Sequence, residues 1–252
     1  MAKSKQKQAD QAKTGFPPHL LKTLPSFSSG TVETLIPNAM FVMQNALTPS
    51  ECKSWVKFAD EDNGKKWDIV SHPATKYIAY RECGRIQHND WKMSHRLYER
   101  IESMVSGISS QLDIFDKASL LHSNKQHTCL DNRGLNHAKY RPISCNPNLR
   151  LYKYTKGQWF GRHVDDSNKI KITPDAPSTI SDAKETQTEI TVLFYLSSCR
   201  GGATRFYLPG GKGKKHDTIA FTPEEGAVLL HIHGDHCLEH EAEPVLEGVK
   251  YG

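Results

Sequence analysis

His163-Val164-Asp165 is the shortest stretch of this chain whose residue types and spacing could do chemistry. An imidazole and a carboxylate two residues apart project to the same side of an extended strand, so both can reach one ion. A second histidine from elsewhere would complete a set of two imidazoles and one carboxylate on one face of a first-row metal. That is the ligand set of non-haem Fe(II) sites, with three positions left open for other ligands. A tripeptide also recurs by chance, and the bland alternative is a surface histidine beside solvated acids, since Asp166 and Ser167 follow at once. Four histidines downstream could supply the second imidazole: His231, His233, His236 and His240. Composition does not choose among them.

The elements that must position these residues are mostly strands. Residues 189–196 (Glu-Ile-Thr-Val-Leu-Phe-Tyr-Leu) read as a buried strand, followed by Gly201-Gly202-Ala203-Thr204-Arg205-Phe206, then Gly226-Ala227-Val228-Leu229-Leu230, His240-Glu241-Ala242-Glu243-Pro244-Val245 and Gly248-Val249-Lys250-Tyr251. From Leu149 onward short strands alternate with turns. Two helices precede them. Residues 49–59 carry Thr48 as N-cap, Pro49 at the first helical position and Glu51 as capping-box partner, with Leu47, Cys52, Val56 and Ala59 on the apolar side. Residues 91–112 repeat Leu97, Ile101, Met104, Val105, Ile108 and Leu112 at three or four positions. Between the helices, residues 77–87 alternate as a strand; residues 115–148 are polar, rich in Asn and His, and read as loop, with turns at Gly134-Leu135-Asn136 and Cys145-Asn146-Pro147-Asn148. Helices first and strands after predict an α+β, mainly β chain, with the helices on one face of a β-sandwich. The segment 166–188 is long, polar and poor in large apolar residues, which predicts a mobile, substrate-facing lid beside His163 and Asp165.

The 252 residues suffice for one substantial core. The net charge of +5 is mild and comes partly from Lys3, Lys5 and Lys7, in a stretch read as a solvated tail. Residues 1–30 are expected to be a disordered polar tail and residues 31–252 a single domain. No apolar stretch is long enough to span a membrane and no signal-peptide core follows the N-terminal lysines, so a cytoplasmic or nuclear protein is expected. The six cysteines, at positions 52, 83, 129, 145, 199 and 237, form no Cys-x-x-Cys and are expected to be free thiols.

Taken in order from Tyr154 to Tyr251, these motifs resemble the prolyl 4-hydroxylase-like branch of the 2-oxoglutarate- and Fe(II)-dependent oxygenases. The resemblance covers roughly residues 38 to 252, starting at Phe41-Val42-Met43-Gln44-Asn45-Ala46-Leu47-Thr48-Pro49-Ser50-Glu51-Cys52. It implies a double-stranded β-helix, or jelly roll, with supporting N-terminal helices. It implies Fe(II) held by His163, Asp165 and His240, because the family's distal ligand precedes a basic residue as His240 precedes Lys250, with Val245 and Gly248 at the expected offsets. His231 then falls where the family places an aromatic core residue, and His233 and His236 fall in a connecting loop. Lys250, Tyr154 and Thr191 are implied to bind the far carboxylate of 2-oxoglutarate. No catalytic residue beyond the metal set is implied. Arg150 and Tyr152 share a strand face with Tyr154 and could line the pocket; Arg81 and Arg85 read as surface or salt-bridged arginines.

The implied activity is a dioxygenase that hydroxylates a C–H bond and releases succinate and carbon dioxide. Dioxygen is a cosubstrate, ascorbate keeps the iron reduced, and a protein or peptide is the partner, with a peptidyl proline the family's usual substrate. Neither a membrane nor a nucleic acid is expected. One feature departs from the pattern: the family's strand continues beyond the residue matching Lys250, whereas this sequence stops at Gly252. A jelly roll with its last strand truncated and a frayed Lys250 is therefore expected, and the alternative is a catalytically degenerate binding protein on the oxygenase fold.

Overall fold

The computed structural model describes residues 15–22, 32–62, 66–109, 128–130, 136–138, 142–180, 186–209 and 217–252. Its first helix, α1 (Pro49–Lys57), starts as its sequence dictates. The Thr48 hydroxyl accepts from the Glu51 amide (3.3 Å), the Glu51 carboxylate accepts from the Thr48 amide (2.9 Å), and Pro49 occupies the first turn. A π-helical turn, Phe58–Asp62, continues it. The second helix, α2, is Trp91–Ser109. Ile101, Met104, Val105 and Ile108 of α2 are buried; Leu112 lies outside the described residues.

Sixteen strands are described: β1 (Val32–Ile36), β2 (Met40–Met43), β3 (Asp68–His72), β4 (Arg81–Asn89), β5 (Thr128–Leu130), β6 (Asn136–Ala138), β7 (Asn148–Tyr154), β8 (Phe160–His163), β9 (Ile190–Phe194), β10 (Arg200–Gly201), β11 (Thr204–Tyr207), β12 (Thr218–Phe221), β13 (Val228–Ile232), β14 (His240–Ala242), β15 (Val245–Glu247) and β16 (Lys250–Tyr251). One sheet has the order β1-β2-β13-β9. A larger one has the order β12-β11-β14-β8-β4-β7-β16, with β3 beside β4. β10 pairs with β15 and β5 with β6.

The two large sheets face each other, and strand alternation explains how. Phe41, Met43, Val228 and Leu230 point outward from the first sheet onto Ile101, Met104, Val105 and Ile108 of α2. Their neighbours Met40, Val42 and Leu229 point inward and meet Phe206 and Phe221 of the opposing sheet. β13 is therefore covered on both faces, which is why its sequence runs Val-Leu-Leu-His-Ile without polar alternation and all five residues are buried. The architecture is a jelly roll, mainly β, and its described strands do not close into a barrel.

Several expectations shift. The strand expected over 77–87 is β4, at Arg81–Asn89, and β3 precedes it. Within the expected tail, residues 15–22 belong to the fold: Phe16, Leu20 and Leu21 are buried against Trp55, Phe58 and Leu97. Arg96 donates to the Pro18 and Leu21 carbonyls and Arg100 to that of Lys22, which holds the segment in place. Residues 1–14 and 23–31 lie outside the described residues. The stretch 115–148 contains the β5–β6 pair, and most of its remainder also lies outside them. Cys52, Cys83, Cys145, Cys199 and Cys237 are free.

The chain end is not frayed. β16 is only two residues long, yet its backbone is bonded on both sides. Gly252 and Tyr152 exchange amide-to-carbonyl bonds of 3.1 and 2.7 Å, and the Leu196 amide donates to the Tyr251 carbonyl (2.9 Å). The Tyr251 hydroxyl donates to Asp60 (2.6 Å), a carboxylate that also accepts from Trp67 and Lys153. These bonds fix Lys250 and leave it 7% exposed.

Candidate metal centre

The centre is built where the two sheets approach. In the larger sheet, His240 of β14 lies in register with His163 of β8, and Phe206 of β11 with His240. The His163 and His240 rings are 4.3 Å apart. β8 ends at His163, so Asp165 lies just past the strand and not on it as the two-residue alternation predicts. It is aimed by other bonds. Its amide donates to the Cys237 sulfur (3.3 Å), its carbonyl accepts from the Gly234 amide (2.8 Å), and its carboxylate accepts from the Thr191 hydroxyl (2.8 Å).

Asp165 then meets His163 and His240. His163 Nε2 is 3.6 Å from Oδ1 and His240 Nε2 is 3.7 Å from Oδ2. Each imidazole turns its other nitrogen to a backbone carbonyl: Nδ1 of His163 to Gly161 (2.8 Å) and Nδ1 of His240 to Leu238 (2.9 Å). A carbonyl can only accept, so Nδ1 carries the proton and Nε2 presents its lone pair, the arrangement of a metal-binding histidine. Burial pushes the His163 imidazole down to about 4, with the facing His240 acting in the same direction, so it is neutral at pH 7. Burial alone would raise the Asp165 carboxyl, but the facing histidines and the Thr191 hydroxyl hold it below the usual carboxylate range. Two lone pairs and an ionised carboxylate thus converge with no proton between them. A divalent cation fits that donor set.

Lys250 reaches the same cavity of about 750 Å³ from β16, together with Tyr154 of β7 and Thr191 of β9. Its Nζ donates to the Gly202 carbonyl (2.7 Å) and lies 5.7 and 5.6 Å from the Tyr154 and Tyr195 ring centroids. Gly202 has φ +67°, a left-handed conformation, and an added Cβ would sit 3.4 Å from Lys250 Cδ. Burial pushes the Lys250 ammonium down to about 8. Tyr152 and Arg150 also line the cavity. Arg150, on the same strand, is exposed and bonds Asn148.

Arg81 stands differently from its sequence reading, and Thr191 and His233 have partners that the sequence did not show. Thr191 bonds Asp165, and its oxygen also meets His233 Nδ1 (3.0 Å). His233 is buried in that contact, while His236 is exposed. Arg81 is neither a surface nor a salt-bridged group: its guanidinium lies between the Tyr152 and Phe160 rings, 4.4 and 4.2 Å from their centroids, and lines the cavity. His231, which the sequence offered as one of four candidates and the resemblance set among the core residues, lies two residues after Leu229 on the inward face of β13.

Residues 149–252 match the family model of the 2OG-Fe(II) oxygenase superfamily. That segment belongs to the 2OG-Fe(II) oxygenase superfamily. It contains every donor of the centre, and Lys250 besides. Superfamily membership implies Fe(II) and 2-oxoglutarate, and His163, Asp165 and His240 suit the metal by tautomer and by charge. Among solved structures, the chain is similar to a Pseudomonas putida prolyl-4-hydroxylase (13% identity, 85% of this chain and 89% of that one, TM-score 0.43). It is also similar to a Trichoplax adhaerens prolyl hydroxylase in complex with a hypoxia inducible factor oxygen degradation domain peptide fragment (14%, 85% and 80%, TM-score 0.45). No curated protein sequence matches the chain. No helix of the described residues is long and apolar enough to cross a membrane.

The oxygenase segment also includes residues 166–188. Its two arms are joined: the Ile170 amide donates to Thr186 (2.9 Å), the Thr188 amide donates to Asn168 (3.0 Å), and Lys169 and Gln187 form an antiparallel bridge. Thr173 accepts from the Trp91 indole (2.6 Å). Residues 181–185 lie outside the described residues.

Proposed function

We propose that this chain is an Fe(II)- and 2-oxoglutarate-dependent dioxygenase that hydroxylates a C–H bond of a protein or peptide, releasing succinate and carbon dioxide. One observation carries the reading: the Nε2 lone pairs of His163 and His240 and the Asp165 carboxylate converge in the cavity that holds the buried Lys250 ammonium. His163, Asp165 and His240 hold the metal. When bound, Fe(II) with 2-oxoglutarate supplies the oxidising chemistry. Lys250 takes the far carboxylate of 2-oxoglutarate, with Tyr154 beside it. A buried ammonium without a carboxylate partner gains most from such an anion, because the charge-assisted bond forms where water is excluded. The Thr191 hydroxyl orients Asp165, and the Gly161 and Leu238 carbonyls fix the imidazole tautomers. A peptidyl proline is the substrate class suggested by the sequence resemblance, and ascorbate should sustain turnover.

The test is Fe(II)-dependent conversion of 2-oxoglutarate to succinate by the purified chain, with and without proline-containing peptides. Slow succinate release without peptide, lost on chelation of the metal, supports the reading. Tight Fe(II) and 2-oxoglutarate binding without any succinate would make the chain a degenerate binding protein instead.

A further inference from the structure

We propose that Arg81 selects the substrate: its guanidinium receives a carboxylate that the peptide carries beside the reacting residue, so that the chain prefers acidic peptides. This rests on the metal-dependent reading above. Arg81 opens β4, and its backbone pairs with Phe160 of β8, the strand that ends at His163. The guanidinium is held between two rings, 4.4 Å from the Tyr152 centroid and 4.2 Å from that of Phe160. The Phe160 ring in turn stacks on the His163 imidazole, with centroids 3.7 Å apart. Arg81 therefore stands one ring away from a metal ligand, on the wall of the same cavity.

Stacking holds a planar cation by its faces and leaves the N–H groups of its edge for an acceptor. The groups around Arg81 are neutral: the phenols of Tyr154 and Tyr152 and the thiol of Cys83. Its Nε is buried without a hydrogen-bond partner among the described residues. The carboxylates that share the cavity are engaged elsewhere or open to solvent. Asp165 faces His163 and His240, Glu241 accepts from the Tyr207 hydroxyl (2.6 Å), Glu189 accepts from Ser167 and Gln187, and Asp166 is exposed. An arginine cannot shed its proton, and a partly buried cation without an anion is costly. Methionine would fill the space between the two rings without that cost. The charge is explained if an anion arrives from outside the chain.

The cosubstrate does not supply that anion. A divalent ion and the Lys250 ammonium already match the Asp165 carboxylate and dianionic 2-oxoglutarate charge for charge. Arg81 is the cation left over, and its fork fits a carboxylate through two parallel bonds. An acidic side chain flanking the reacting residue and a peptide's own C-terminus offer the same group.

The experiment is anaerobic calorimetric titration of the Co(II)- and 2-oxoglutarate-loaded protein with two matched pairs of peptides. One pair flanks proline with Glu or with Gln; the other ends in proline as the free acid or the amide. Wild type, Arg81→Gln and Arg81→Lys are compared, with thermal melts to verify folding. Wild type should bind an acid form about ten- to a hundredfold more tightly than its neutral match, and the pair that shows the gap tells side chain from chain end. Arg81→Gln should close the gap by weakening the acid form alone, with Co(II) and 2-oxoglutarate affinities as in wild type. Arg81→Lys keeps the charge but not the fork and should restore part of the gap. Equal affinity of wild type for acid and neutral forms, or no binding of either acid form, overturns the inference without any variant having to fold. A gap that survives in Arg81→Gln overturns it too, and so does a loss of 2-oxoglutarate affinity there, which would place Arg81 in the cosubstrate site. A wild type that binds neither Co(II) nor 2-oxoglutarate overturns the proposed function as well. A wild type that binds both and forms succinate with Fe(II), yet treats acid and neutral peptides alike, overturns this inference alone.

Discussion

Replacing Lys250 with methionine should stabilise the protein without cosubstrate and weaken its response to 2-oxoglutarate. The ammonium is buried with the Gly202 carbonyl and two aromatic faces for company. Burial lowers it from 10.5 to about 8. At about 1.36 kcal/mol per unit, that difference amounts to about 3 kcal/mol of destabilisation. The sign follows from proton counting. Below pH about 8 the lysine is charged in both states and the fold bears the whole cost. Between about 8 and 10.5 the unfolded chain keeps the proton that the fold releases, so stability rises with pH; above 10.5 the cost is gone. Methionine, of similar length, removes the cost at every pH but loses the bond to Gly202, worth about 1 kcal/mol. The net gain at pH 7 is about 2 kcal/mol, or about 4–8 °C in melting temperature for a chain of this size. 2-Oxoglutarate and Co(II) added together should raise the melting temperature of wild type further than Co(II) alone, and should do so by a smaller margin in the variant at the same concentrations. The lost charge-assisted contact weakens cosubstrate binding about ten- to a hundredfold. Thermal melts from pH 6 to about 10, with and without ligand, make the comparison. A variant that melts below wild type by the same margin at every pH would show that Lys250's contacts fully offset its burial. Unchanged 2-oxoglutarate affinity would remove Lys250 from the cosubstrate site.

His163→Ala, Asp165→Ala and His240→Ala should each abolish succinate formation and weaken Fe(II) binding at least about tenfold, while His236→Ala leaves both intact; the converse result for His236 and His240 would reverse the ligand assignment. Glu51→Gln should cost about 3–5 kcal/mol in urea unfolding, because it leaves the buried Arg100 guanidinium without its carboxylate. Burial alone would raise the Glu51 carboxyl, but Arg100 and the Thr48 and Lys22 amides bring it from 4.5 to about 2, so this stability is fully present above pH 4.5 and is lost as pH falls toward 2; a flat profile there would count against the pair. Gly226→Ala should destabilise by about 1–3 kcal/mol, since φ is +85° and the new Cβ would press against the Leu47 carbonyl oxygen; an unchanged melt would show that the turn relaxes. Amide exchange should be slow at Ile170 and Thr188 in the free protein and faster at Ser167 and Asp175, and uniform fast exchange would show that the joined arms do not persist.

Much of this protein is local and was therefore legible along the chain. The capping box at Thr48 and Glu51 needs only residues three apart, and the apolar repeat of α2 needs only its own period. The order of strands and glycines, matched to a family, placed His163, Asp165, His240 and Lys250 in one site. Tertiary structure decided what depends on residues far apart in sequence. β13 is apolar throughout because a helix covers one face and a sheet the other, and no window of sequence reveals which face of such a strand meets the site. His231 thus read as core filler until the opposing sheet brought Asp165 to it. Asp165 reaches the cluster from beyond its strand through bonds to Cys237, Gly234 and Thr191, so simple alternation gave its neighbourhood but not its support. Arg81 looked like a surface residue because the Tyr152 and Phe160 rings that enclose it lie on other strands. Lys250 is held by a two-residue strand bonded on both sides, where local reasoning saw only a chain end free to fray. Propensity and pattern act over a few residues, whereas burial, and the tautomers and charges it imposes, are fixed only when distant segments meet.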